Sequence, residues 1–236
     1  MKINKLSIII PAYNEEAQIA NTIAAIRNGG NVADISEIIV ADGGSKDNTV
    51  NAAKAAGAMA VVSPAKGRAA QMNYGASIAK GDILYFLHAD TMPAKDFTTG
   101  IINAVHNGFE AGCFMLAFDH VHWFLKANCW FTRFDVNAIR FGDQSLFITK
   151  EKFIQSGGFC EKHIVMEDQE IVKRIRRICR FKVIRKPVIT SARKYLENGI
   201  YKTQGIFFLI YFMYQLGYSQ QAMVNTYRRL IRQDKL

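Results

Sequence analysis

Short apolar runs recur through the first part of the chain, each followed by a polar turn and then by residues at helical spacing. The runs at 6–10, 37–41, 58–62 and 83–87 read as strands, and 83–87, apolar without alternation, reads as a central strand covered on both faces. Between them, helices are predicted from about 14 to 27, from about 48 to 56 and from 67 to 79. Gly29-Gly30 stops the first, and Gly81 closes the third. Strand and helix alternate, so a parallel sheet with right-handed crossovers is expected.

Beyond residue 90 the pattern changes. Pro93 opens a predicted helix to about 106, and 112–118 reads as a strand. Residues 122–141 are aromatic-rich with helical patches; Trp123, Phe124, Trp130, Phe131, Phe134 and Phe141 either line a cleft or pack in the core, and most are expected in the core. Residues 145–149 return to the sheet. A short helix at 150–156 ends at Gly157-Gly158, a basic helix covers 167–179, and a last short strand covers 181–184. The run at 205–217 is too short to span a bilayer, which takes about 20 apolar residues. It is either a buried helix or one lying in a membrane surface. With no repeat and no low-complexity linker, one domain at 1–198 with a helical extension at 199–236 is expected.

Charge divides the chain unevenly. Of its 236 residues, 1–118 carry 9 Lys and Arg against 10 Asp and Glu, whereas 119–236 carry 21 against 10. The basic excess lies wholly in the second half, which suits an anionic partner or a solvated face. The four cysteines form no C-x-x-C pair. They are expected to be reduced thiols in a cytoplasmic protein. Pro11, Tyr13 and two glutamates interrupt the first apolar run, so it does not read as a signal peptide.

Three strand-end loops carry candidate chemistry. In a parallel sheet they share the edge where ligands bind. Tyr13 offers a ring for a base to stack on, Asp42 offers acceptor oxygens, and Asp90 follows the fourth strand with His88 just before it. Asp47 reads as a cap for the helix starting near Asn48. Neither G-x-G-x-x-G after strand one nor a P-loop pattern occurs.

Taken together, Ile9-Ile10-Pro11-Ala12-Tyr13-Asn14-Glu15-Glu16 and Asp42-Gly43-Gly44-Ser45-Lys46-Asp47-Asn48-Thr49 resemble family 2 glycosyltransferases. So does the later order of Gly142-Asp143-Gln144, Gly157-Gly158-Phe159, Glu167-Asp168 and Ser191-Ala192-Arg193-Lys194-Tyr195. That last set is similar to a bacterial subgroup known only as glycosyltransferases.

The resemblance implies an α/β GT-A fold: a mostly parallel central sheet flanked by helices, with the C-terminal helical extension. It implies transfer from a nucleotide-sugar donor, a UDP sugar among the options, to an unidentified acceptor that family members often carry on a lipid. Pro11, Ala12, Tyr13, Glu15, Asp42, Lys66, Arg68, Ala89, Asp143 and Arg193 are the implied donor-binding residues. Asp90 is the implied ligand of a divalent cofactor, Mn²⁺ or Mg²⁺, and Asp168 beside Glu167 is the implied base.

Two departures stand out. The turn has one acid and an extra glycine, and His88 replaces the first acid of the metal motif. His88 is either a second ligand or a satisfied strand-end histidine. Asp143 touches the donor sugar, touches the acceptor, or ends a turn. Arg193 and Lys194 hold a diphosphate or pair with surface acids. The missing Q-x-x-R-W motif favours single transfers over polymerisation.

A nucleotidyltransferase is the rival enzyme, although its Gly-rich activating loop is absent. A non-catalytic protein docking on anionic lipid or nucleic acid is the rival of another class, and no nucleic-acid motif supports that partner. Contact with the inner face of a membrane is compatible with the enzyme.

Overall fold

The computed structural model describes residues 4–136 and 142–232. Four strands form its parallel half: β1 (Leu6–Ala12), β2 (Ile35–Asp42), β3 (Met59–Val62) and β4 (Ile83–Phe86). The register sets Ala12 opposite Asp42, so the first two motif loops leave the sheet side by side. Helices α1 (Glu16–Gly29), α2 (Thr49–Ala55) and α3 (Arg68–Ile78) connect them.

After β4 come β5 (Thr91–Met92), α4 (Phe97–His106), β6 (Ala111–Phe118), α5 (Trp123–Phe131), β7 (Leu146–Thr149), α6 (Lys150–Ser156), α7 (Glu167–Ile175) and β8 (Phe181–Thr190). The sheet order is β3-β2-β1-β4-β7-β6-β8-β5, with β7 and β5 running against the other six strands.

Each sheet face has its own core. Ile8, Ile10, Val40, Tyr85 and Phe97 pack with α1, α2 and α4 on one side. Ile9, Ile39, Met72, Phe86, Phe153 and Ile171 pack with α3, α6 and α7 on the other. Alternate residues of one apolar strand thus feed two cores, which is why β1 shows no polar alternation.

Three expectations need correction. The last strand extends through Thr190 rather than ending at 184, and a register shift between Phe114 and Met115 carries it past Pro187. Lys182, Arg185, Lys186 and Pro187 hide it from an apolar-run criterion. Its far end recruits β5, a pair of residues too short to signal itself. Second, α4 begins at Phe97, because Asp96 adopts φ 54° and breaks the path from Pro93. Third, the aromatic segment is largely outside the core. Trp123 is 66% exposed, and Trp130, Phe131 and Phe134 are exposed too, while Leu125 and Cys129 supply the buried face of α5. Phe141 lies outside the described residues.

The basic helix is also less solvated than its charge run suggests. Arg174 binds Glu170 and donates to the Gly158 carbonyl at 2.7 Å, and Arg176 pairs with Asp135. All four cysteines are free.

The chain closes with α8 (Arg193–Asn198), α9 (Ile200–Gln215) and α10 (Gln220–Leu230). Ile206 and Ile210 of α9 pack on Met223, Val224 and Tyr227 of α10 and on Val165. The opposite face of α9 leaves Tyr201, Phe208, Leu209 and Phe212 exposed. The 205–217 run therefore has one buried face and one open one.

Close packing sets a stability test. A Cβ on Gly112 in β6 would lie 2.2 Å from the Lys182 carbonyl oxygen and 2.4 Å from the Phe147 ring. Gly112→Ala should therefore cost about 1–3 kcal/mol by overpacking. Gly205→Ala, where a Cβ meets nothing within 4 Å, should instead stabilise by up to about 1 kcal/mol. Urea unfolding of both variants checks the contrast.

Candidate functional site

The loops after β1 and β2 are laced to each other. The Asn14 amide donates to Ser45 Oγ at 2.8 Å, and the Lys46 amide donates back to Asn14 Oδ1 at 2.8 Å. The Glu15 amide donates to Thr49 Oγ1 at 2.8 Å, and the Glu16 amide donates to Asp47 Oδ2 at 3.2 Å. Asp47 also accepts from the Thr49 amide at 3.1 Å, so one carboxylate serves the starts of both α1 and α2. Asn14 itself sits at φ 52°, in the left-handed region that asparagine tolerates.

Asp42 is fully enclosed. Its carboxylate accepts the amide hydrogens of Gly44 at 3.1 Å and Ser45 at 2.8 Å, which folds the loop around it. Gln71 of α3 ties the two strand ends, donating to the carbonyls of Ala12 at 2.7 Å and Ala41 at 2.9 Å. The first glycine of the turn, Gly43, makes room for that amide: a Cβ there would lie 2.9 Å from Gln71 Nε2. Pro11 and Ala12 are buried, Tyr13 and Glu15 are partly exposed, and Lys66 is exposed at the approach to α3.

A second group forms where α3 meets α7. Met166 adopts φ 65° and turns the chain into α7. Glu167 is thereby buried, with its side chain 3% exposed, and Arg68 Nη1 of α3 meets its Oε1 at 2.9 Å. The same nitrogen lies 3.9 Å from Asp168 Oδ2. Burial first, and the adjacent Glu167 carboxylate second, push the Asp168 carboxyl up to about 7. The start of α7 favours carboxylate charge, yet two side by side do not both ionise freely.

The third contributor is the turn Gly142–Gln144. Gln144 is buried and donates to the Phe114 carbonyl at 3.3 Å, anchoring the turn on β6. Asp143 Oδ1 then lies 3.0 Å from His88 Nδ1. Burial disfavours the imidazolium, but the Asp143 hydrogen bond and charge outweigh it and raise His88 above its ordinary value. Burial likewise raises Asp143, and the His88 bond with the charges of His88, Arg68 and Lys194 holds it low. The His88 nitrogen facing Asp143 is thus engaged in the protein.

Asp90 follows at the same sheet edge, partly exposed, with no hydrogen bond or ion pair to the described residues. Among the described residues no three His, Cys, Asp or Glu side chains converge to cage a metal. A free carboxylate still fits a hard divalent ion that takes its other ligands from phosphate oxygens and water.

A chamber of about 380 Å³ opens beside these carboxylates. Arg68, Asp143, Glu167 and Asp168 border one end, while Phe118, Phe207 and Ile210 are among its apolar walls. Tyr13, Asp42 and Asp90 do not border it. The structure therefore sorts the sequence candidates into two sets. One is the interlaced loop pair with Asp90 nearby, and the other is the charged group Arg68, His88, Asp143, Glu167 and Asp168. Arg193 is exposed and stands apart from both. Its neighbour Lys194 enters the chamber instead and donates to Tyr227 Oη at 2.6 Å. Sequence reasoning also missed Asn128, Tyr195 and Gln204; only the Tyr195 position lay within a quoted motif.

Residues 7–160 match the sequence model described as "Glycosyl transferase family 2". An uncharacterised glycosyltransferase of Bacillus subtilis (strain 168), YfnE, is 33% identical over 108 residues, covering 44% of this chain and 27% of that protein. One of Rickettsia typhi, RT0209, is 35% identical over 105 residues, covering 44% and 34%. The chain thus spans about a third or less of the length of these relatives.

Among solved structures, the mannosyltransferase PcManGT of Pyrobaculum calidifontis, in complex with GDP-Man and Mn²⁺, superposes with TM-score 0.70 at 16% identity over 96% of this chain and 70% of that one. S. aureus TarS 1–349 with UDP gives 0.65 at 14% identity over 79% and 60%. Glucosyl-3-phosphoglycerate synthase of Mycobacterium tuberculosis, with Mn²⁺, UDP and glucosyl-3-phosphoglycerate, gives 0.64 at 16% over 91% and 81%. These likenesses establish the GT-A fold.

The ion pair can be tested directly. Arg68→Ala would leave Glu167 buried without its partner and should destabilise the protein by about 1–3 kcal/mol at pH 8. At pH 5 the loss should be smaller, because Asp168, pushed up to about 7, is then protonated and no longer adds charge beside Arg68. Urea unfolding at the two pH values measures the difference.

Proposed function

This chain belongs to glycosyl transferase family 2, and from that premise we propose that it moves a sugar from a nucleotide-sugar donor to an acceptor hydroxyl, once per encounter and with inversion. The observation that carries the reading is the Asp168 carboxylate, held beside Glu167 at the edge of a chamber large enough for an acceptor. In this reading the nucleoside lies along the interlaced loops, with Tyr13 against the base and the Asp42 loop beside ribose or base. The diphosphate reaches Lys66 and Arg68. A UDP or GDP sugar is favoured by the ligands of structures with the same fold.

Asp168 takes the proton from the acceptor hydroxyl. The oxygen then bonds to the anomeric carbon as the bond from that carbon to the diphosphate oxygen breaks, and the electron pair leaves with the diphosphate. Asp90 would hold Mn²⁺ or Mg²⁺, which neutralises charge on the departing diphosphate. Arg68 adds positive charge on the protein side. His88 positions Asp143, whose carboxylate faces the same chamber and receives sugar or acceptor hydroxyls.

The proposal extends to location: the protein works on the cytoplasmic face of a membrane. Trp123 and Phe124 of α5 contact Tyr201 of α9, and the exposed side of α9 continues through Phe212 and Leu216, 59% and 76% exposed. A contiguous apolar face beside a strongly basic half suits an anionic bilayer surface. Among the described residues no helix is long and apolar enough to cross a membrane.

Two measurements test this reading. Asp168→Asn should lower nucleotide-sugar turnover by about 10²–10⁴-fold while leaving UDP–Mn²⁺ binding intact; unchanged turnover rules out Asp168 as base. The working form is the carboxylate, so wild-type turnover should fall as pH drops through about 7. Glu167→Gln removes the neighbouring negative charge and frees Arg68, so its acid limb should move to lower pH.

For the membrane contact, flotation with phosphatidylglycerol liposomes should retain the wild type. It should lose a Phe212→Glu, Leu216→Glu double variant. Equal flotation of the two proteins counts against the α9 face.

A further inference from the structure

Between Gly158 and α7 the chain is neither helix nor strand, yet it delivers Glu167 and Asp168 to the chamber edge. Its near end is clamped from α3, where Asn73 Oδ1 accepts the Phe159 amide at 2.8 Å. Its far end is clamped by the first residue of α10. Gln220 Oε1 accepts the Ile164 amide at 3.0 Å and the Val165 amide at 3.1 Å. Two backbone donors on one atom assign it as the amide oxygen. The amide nitrogen then faces His163 Nδ1 at 3.3 Å, which makes that ring nitrogen the acceptor. One side chain thus holds residues 163–165.

Met166 follows directly at φ 65°, and its carbonyl accepts the Glu170 amide at 3.1 Å in the first turn of α7. Val165, 8% exposed, packs with Ile206, Met223 and Val224. Such apolar packing is non-directional. Two amides meeting one oxygen fix instead how the peptide planes before Met166 are turned. Water could satisfy the Ile164 amide in place of Gln220, since Ile164 is 45% exposed, but water would not tie the turn to α10. Gln220 does not border the chamber and lies outside residues 7–160, the stretch matched by the family.

We infer that Gln220 is a positioning residue: it holds the 163–165 turn so that Met166 keeps its left-handed conformation and the Asp168 carboxylate stays at the chamber edge beside Glu167. That Asp168 then acts as base rests on the glycosyl-transfer reading above, whereas the placing of its carboxylate by Gln220 does not.

Two substitutions separate this role from packing. Gln220→Met keeps the length of the side chain and removes the oxygen. Gln220→Glu keeps an oxygen for both amides and is the conservative variant. With each protein shown folded by circular dichroism, release of UDP from UDP-glucose and of GDP from GDP-mannose is followed with Mn²⁺. Gln220→Met should lower kcat by about tenfold or more, because small misplacement of a reacting group is costly. Its donor KM should stay within about twofold of wild type. Gln220→Glu should restore kcat.

A second measurement needs no turnover. The Asp168 carboxyl is titrated by ¹³C NMR, its signal assigned by its loss in Asp168→Asn. Asp168 is faced by Glu167 of its own helix, His88 after β4, Arg68 of α3 and Asp143 of the turn before β7. Gln220→Met should let Asp168 swing from Glu167 toward water, so its carboxyl should titrate about one unit or more below wild type. In the wild type itself, the Ile164 and Val165 amides should exchange slowly with deuterium.

Unprotected Ile164 and Val165 amides in the wild type overturn the inference. So does wild-type kcat with wild-type Asp168 titration in Gln220→Met, a loss in kcat matched by a rise in donor KM, or a Gln220→Glu protein as impaired as Gln220→Met. If the wild type releases neither nucleotide, it is the transfer reading that loses support, and the Asp168 titration with amide exchange decides the placing role.

Discussion

Two carboxylates on consecutive residues, faced by a single guanidinium, set the terms for the rest of this structure. Breaking a buried pair leaves a charge uncompensated, and Glu167 is buried at the first turn of α7 with a close counter-charge against it. Arg68 supplies it from α3, a helix of the opposite half of the chain. Asp168 receives only the weaker share of that cation, so burial and the neighbouring Glu167 carboxylate prevail and raise its proton affinity. The left-handed Met166 fixes which of the two side chains is buried against Arg68 and which stays partly open. Backbone conformations of this kind are retained where surrounding structure over-determines them, and they cluster at functional sites.

The same halves are joined by quieter contacts. Asn73 of α3 receives the Phe159 amide at 2.8 Å and donates to the Phe159 carbonyl at 2.9 Å, clamping the turn after Gly157-Gly158. Gln71, two residues earlier, holds the ends of β1 and β2. One helix thus positions the loops, the turn before α7 and the guanidinium. Its small residues allow this: a Cβ on Gly75 would come 2.6 Å from Ile9 Cγ2, so α3 packs tightly on the sheet.

How legible this was depends on what each feature requires of the sequence. The parallel half was readable because strands buried on both faces admit almost only apolar residues, as Ile8, Ile9 and Ile10 show. The interlaced loops were readable because their hydrogen bonds need particular short polar side chains at fixed offsets: Asn14, Ser45, Asp47 and Thr49. That Asp42 spends its carboxylate on its own loop was not readable, since an acceptor is equally suited to a ligand or to a backbone amide. β8 escaped because an outlying strand with Lys, Arg and Pro carries little hydrophobic signal. Arg193 was favoured over Lys194 because helix facing at α8 depends on where that helix starts, and a shift of one residue turns the side chain by about 100°. The chamber wall was invisible for a related reason. Tyr195, Gln204 and Asn128 are far apart in sequence and meet only through tertiary packing.

The attachment of that wall has its own consequence. Asn198, at the end of α8, receives the Arg232 amide at 2.7 Å and donates to the Arg232 carbonyl at 3.5 Å. Residues 199–232 therefore depart from and return to one point on the body. A segment whose ends meet in this way can be exchanged as a cassette without reordering a single strand of the sheet. Changes to this wall of the chamber can then be made in one contiguous piece of the chain, while Arg68, Glu167 and Asp168 remain untouched.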